Sequence, residues 1–140
     1  MNKKTNILIV NDDGIESYGI AKLAAMAANF GDVWVVAPEG QCSGMSQRLT
    51  IFNELNVQER EFPATVRAAY SVSGTPADCV KVALKSLLPV WPDYVFSGIN
   101  AGFNAGYDIA YSGTVGAAME AVLHDIPAVS YTHLRAHETG

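Results

Sequence analysis

Apolar residues along this chain come in short continuous runs, separated by stretches with a helical period. Ile7–Val10 is unbroken, the pattern of a central parallel strand covered on both faces. Ile20, Leu23, Ala24 and Ala27 fall at i, i+3, i+4 and i+7. That spacing predicts an amphipathic helix over Tyr18–Asn29, with Gly31 as its C-terminal glycine. Val33–Ala37 reads as a second strand stopped by Pro38, and Glu39–Arg48 as a polar, glycine-containing loop. Weak alternation predicts strands in Leu49–Arg60 and Ala68–Val72. Thr75-Pro76 is a helix start, a hydroxyl cap followed by proline at the first helical position. Val80, Ala83, Leu84, Leu87 and Leu88 give that helix its apolar face. Tyr94–Ser97 is a further buried strand, followed by a long glycine-rich loop to Thr114. Val115–His124 is another amphipathic helix, with Val115, Met119 and Val122 as its core positions, and Ala128–Ser130 starts one more strand.

Alternating strands and helices imply an α/β fold with a doubly wound, mostly parallel, Rossmann-like sheet. Ligands of such sheets bind beyond the carboxyl ends of the strands. Three polar segments fall there: Asn11-Asp12-Asp13-Gly14, the loop carrying Ser43, and the loop opening with Ser97-Gly98-Ile99-Asn100. They are expected to converge on one edge of the sheet.

Composition narrows the chemistry. The 140 residues suit one domain or part of a larger one, and 49% hydrophobic with 16% charged residues is a globular balance. A net charge of −5 argues against binding a nucleic-acid polymer, which needs a basic face. It leaves a small phosphate ester open, because a cation can supply positive charge locally. Cys42 and Cys79 are far apart and in no paired motif, as expected for reduced thiols in a cytoplasmic protein. No apolar stretch approaches the length of a membrane span, so no membrane association is expected.

Asp12 and Asp13 are the unusual pair. Adjacent side chains in a strand point to opposite faces, but Gly14 permits a turn that swings both carboxylates toward one point. A solvated turn is the bland alternative. Two carboxylates suit a hard divalent cation, magnesium, manganese or calcium, the first two above all, and Ser43 Oγ and the Asn100 amide oxygen are neutral ligands able to complete the set. No Cys/His cluster has zinc spacing, and His124, His133 and His137 read as surface residues. Ser112-Gly113-Thr114 opens a helix, so its outward N–H groups make a phosphate site or, more plainly, an N-cap. The glycine-rich segment lacks dinucleotide spacing and there is no Walker A lysine, which argues against a nucleotide cofactor. An oxygen-rich cation site facing an anion-holding helix terminus is the plan of a metal-dependent phosphohydrolase.

The segments ILIVNDDG, APEGQCSGMSQRLT, VSGTPADCVKVAL, SGINAGFNAG and YSGTVGAAMEA occur in that order between Ile7 and about Ser130. Together they resemble the SurE family of 5′/3′-nucleotidases, the stationary-phase survival proteins. The resemblance implies a divalent-metal enzyme that removes phosphate from nucleoside monophosphates, with short polyphosphate as a further substrate of some members. It implies Asp12, Asp13, Ser43 and Asn100 as metal ligands, with Asp12, Asp13 and Asn100 at the catalytic centre. It places Asn11, Gly44, Asn104, Ser112, Gly113 and Thr114 on the phosphate side, and implies a homodimer or homotetramer.

Members of that family are much longer than 140 residues, so residues 1–130 are expected to be an incomplete family core. The segment Tyr131–Gly140 does not read as the family's continuation and is expected to be a non-native, poorly packed tail. Two rival functions follow. A fragment of this kind could be a non-catalytic metal-binding module. A receiver domain also places acids after its first strand, but it needs an Asp at the end of a later strand, and neither Val33–Ala37 nor Tyr94–Ser97 ends in one.

Overall fold

The computed structural model describes residues 4–40, 55–99 and 116–131. Six strands form one sheet: β1 (Thr5–Val10), β2 (Gly31–Pro38), β3 (Val57–Glu59), β4 (Ala68–Val72), β5 (Tyr94–Gly98) and β6 (Ala128–Tyr131). Their order is β3-β4-β2-β1-β5-β6. All neighbours pair in parallel except β3, which runs antiparallel to β4 at the edge. This is the mostly parallel α/β sheet expected from the alternating pattern.

The chain starts in the middle of the sheet. It moves outward through β2 to β4, then returns across β1 to build β5 and β6 on the other side. Right-handed crossovers in opposite directions put their helices on opposite faces. Helix α1 (Tyr18–Ala27) accordingly packs on Ile7, Ile9, Val33 and Val35 through Ile20, Leu23, Ala24 and Ala27. Helix α2 (Pro76–Val82) and helix α3 (residues 116–123) share the other face with Leu8, Val10, Trp34 and Val36. Strand alternation sorts β1 between these two cores, Ile7 and Ile9 one way and Leu8 and Val10 the other.

Local signals explain most element boundaries. Ser17 caps α1, accepting from Ile20 N–H. Thr75 caps α2, and Asp78 returns the bond to the Thr75 N–H at 3.0 Å, closing a capping box that the sequence reading credited only to Thr75 and Pro76. The helix then widens over Ala83–Leu87, ending with Leu88 N–H donating to the Ala83 carbonyl.

Several expectations are corrected. Helix α1 stops at Ala27, and Gly31 is the first residue of β2 instead of a helix-ending glycine. Of the strand predicted in Leu49–Arg60 only Val57–Glu59 forms, residues 49–54 lying outside the described residues. Met119 and Val122 are not core positions: they are exposed, and α3 meets the core through Ala117 and Ala121. Small residues let this helix lie close to the sheet, which turns its larger side chains outward. Val115 lies outside the described residues. Strand β6 includes Tyr131, one residue past the predicted core, with its ring edge-on to Phe96 at 5.6 Å. Residues 132–140 lie outside the described residues.

Candidate functional site

β1 leads to β2 on one side and β5 to β6 on the other, so the strand order reverses between β1 and β5, the place where sheets of this class bind ligands. The residues after β1 are Asn11, Asp12, Asp13 and Gly14; the residue after β5 is Ile99, which precedes Asn100 in the chain. The paired acids thus stand where this class of sheet binds ligands.

The turn after β1 is built from its own side chains. Asn11 is 1% exposed. Its Nδ2 donates to the Gly14 carbonyl at 2.9 Å and to Ser17 Oγ at 2.8 Å, and its Oδ1 accepts from Gly14 N–H at 3.2 Å. Asn11 thus spends both side-chain donors within the turn. Gly14 has φ +110°, a conformation that side-chain-bearing residues rarely adopt. That turn is what allows Asp12 and Asp13 to leave the strand together.

Asp12 is buried and Asp13 half-buried. Burial raises the Asp12 carboxyl from its ordinary 3.8 to about 6, and the neighbouring Asp13 charge adds to the effect. The arrangement carries an electrostatic cost in the absence of a cation. The donor set fits a hard divalent ion: carboxylate oxygens, at the mouth of a sheet crevice, with their mutual repulsion relieved by positive charge. Among the described residues no three His, Cys, Asp or Glu side chains are grouped to hold a metal. The expected set has only two acids, and its other members, Ser43 and Asn100, lie outside the described residues, as do Gly44, Asn104, Ser112, Gly113 and Thr114.

The three polar segments do converge at their described ends. Ile15 N–H donates to the Pro38 carbonyl at 2.9 Å, tying the Asp12–Asp13 turn to the end of β2. Gly14 lies against Gly40, and Gly19 of α1 lies against Ile99. Beyond the turn, Arg60 donates to Glu16 at 2.7 Å and to Ser71 Oγ at 2.9 Å, forming one wall of an open cleft of about 680 Å³ that Ile15, Ser17 and Tyr18 also line. The sequence reading missed Ser17, Gly19 and Arg60. A glycine inside the first turn of a helical pattern was the one available signal, since glycine there has a packing reason or none. His124 is exposed and bonded to Glu120 at 3.1 Å, as expected of a surface histidine, while His133 and His137 lie outside the described residues.

Comparison with known proteins agrees with this frame. The family profile described as Survival protein SurE matches residues 7–138. A protein named 5′-nucleotidase SurE from Clostridium botulinum (strain Kyoto / Type A2) is 50% identical over 125 residues, covering 89% of this chain and 49% of its own length. Another of that name, from Pelotomaculum thermopropionicum, is 45% identical over 124 residues, covering 89% of this chain and 48% of its own. The crystal structure of the SurE protein from Aquifex aeolicus superposes with a TM-score of 0.75 at 41% identity, covering 91% of this chain and 52% of that one. The chain thus spans about half the length of the curated relatives it matches. With the profile match running through nearly all of it and the same sheet in a solved relative, the chain belongs to the SurE family.

Proposed function

We infer that this chain carries the metal-binding half of a phosphohydrolase that releases phosphate from nucleoside 5′- and 3′-monophosphates. The observation that carries the reading is the buried Asp12 beside Asp13 at the switch point of the sheet, in a chain whose relatives are named 5′-nucleotidases. Asp12 and Asp13 would hold a magnesium or manganese ion, with Ser43 and Asn100 completing the ligand set. Such an ion, when bound, polarises a phosphoryl oxygen and lowers the pKa of a water. Asp12 and Asp13 supply the negative charge that fixes the cation and keep it at the crevice mouth. The raised Asp12 carboxyl favours its neutral form below about pH 6, so cation binding strengthens as pH rises through that value. Asn11, Gly44, Asn104, Ser112, Gly113 and Thr114 would line the phosphate side. Hydrolysis of short polyphosphate, a homodimeric or homotetrameric assembly and a cytoplasmic location belong to the same proposal.

The test is phosphate release from a panel of nucleoside monophosphates by this chain and by a full-length relative, with Mg²⁺, with Mn²⁺ and with a chelator. Cation-dependent release by both supports the reading. The chain's half-length match favours one alternative, a metal-binding module without turnover. Cation binding with release by the relative alone would identify it.

A further inference from the structure

Two fixings hold the segment that carries Asp12 and Asp13, and a third holds the helix that follows it. Inside it, Asn11 bonds both the N–H and the carbonyl of Gly14 and reaches the cap residue of α1. Toward β2, a Cβ built on Gly14 would stand 3.0 Å from the Gly40 Cα. Toward β5, a Cβ built on Gly19 would fall inside contact distance of the Ile99 carbonyl oxygen. At these points backbone meets backbone with no side chain between.

Neither Asn11 nor Gly19 is the residue that the apolar core or the helix around it would favour. Asn11 follows Ile7 and Ile9 on one side of β1 and is fully buried, a position where an apolar residue would extend the core. Glycine is a poorer helix former than alanine, yet Gly19 sits in the first turn of α1. Both identities make sense if the distances they permit are what matters.

We propose that Asn11 and Gly19 are positioning residues for the cation site: Asn11 fixes the direction in which Asp12 and Asp13 leave β1, and the missing side chain of Gly19 lets the first turn of α1, which follows the two acids, close on the backbone at the end of β5. The proposal rests on the reading of the Asp12–Asp13 turn as a cation site. It concerns neither ligand directly. Asn11 acts through the Gly14 turn, and Gly19 acts through Ile99, whose neighbour in the chain is Asn100.

The experiment is calorimetric titration of Mn²⁺ into the metal-free chain, with thermal unfolding measured alongside. The chains compared are wild type, Gly19→Ala, Asn11→Ser and Ala25→Gly. Ala25 is on the exposed side of the same helix, so its glycine variant loses helix stability without touching the turn. Expected is a loss of Mn²⁺ affinity of about 10–100-fold in Gly19→Ala and in Asn11→Ser, the size typical for groups that orient metal ligands. Ala25→Gly should lower Tm and keep wild-type affinity. Should Gly19→Ala not fold, Asn11→Ser decides by the same criterion. Variants that lose Tm but bind Mn²⁺ as wild type does would overturn the positioning role and leave the cation site standing. A wild-type chain that binds no Mn²⁺ would overturn both.

Discussion

The first and last crossover units of this chain have the same parts and opposite surroundings. In the β1–α1 unit, every residue of Ile7–Val10 is buried, and α1 buries Gly19, Ile20, Leu23, Ala24 and Ala27. In the last unit, β6 has no fully buried residue and α3 meets the core through Ala117 and Ala121 alone among its described residues. Met119, Val122 and Leu123 of that helix are 62%, 58% and 76% exposed. The two acids stand on the first unit. A buried carboxylate beside a half-buried one that repels it needs a support that does not yield, and the central strand provides it.

The comparison can be broken most sharply at the centre. Leu8 is wholly buried in β1, so Leu8→Ala should cost about 2–5 kcal/mol in urea unfolding, lost contacts and a residual cavity together. A cost below about 1 kcal/mol would mean that the first unit is no better supported than the last.

Asp12 gives the next effect, and its sign is opposite. The folded chain keeps the Asp12 proton up to about pH 6, whereas the unfolded chain releases it near 3.8. Between those values the unfolded state binds fewer protons, so the metal-free protein loses stability as pH rises, and the loss is complete above about pH 6. Asp12→Asn removes that slope and should stabilise the metal-free chain at pH 7, by up to about 2 kcal/mol once solvent screening is allowed for. The same variant should no longer be stabilised by added Mg²⁺ or Mn²⁺. Chemical denaturation at pH 4 and pH 7, with and without cation, checks both halves.

In the last unit the sensitive positions are the small ones. Ala121→Leu should cost about 1–3 kcal/mol by forcing α3 off the sheet. Leu123→Ser, by contrast, should change unfolding free energy by no more than about 0.5 kcal/mol, because the side chain is exposed. If Leu123→Ser destabilises more than Ala121→Leu, the helix is packed through the face of Met119, Val122 and Leu123.

Pattern and residue type alone determined a good deal. The order of strands and helices, the parallel sheet, the Thr75-Pro76 helix start and the Asp12–Asp13 pair beyond a buried strand were all legible in the sequence, because each depends on near neighbours in the chain. Periodicity also placed the start and the buried face of α1, since its apolar stripe is wide and regular, though not its end. Tertiary structure decided what periodicity cannot carry. A helical stripe says which residues share a face, but it cannot say which face is covered, so Met119 and Val122 were misplaced and Ala117 and Ala121 overlooked. Asn11 stands before two acids in the sequence, and its neighbours in the chain do not say which partners its amide takes. Only folding brings Gly14 and Ser17 within reach of its amide and turns it inward. Gly19 is the clearest case. Its reason lies eighty residues away at Ile99, in a backbone contact that exists only because the chain crosses back over β1 to lay β5 beside it.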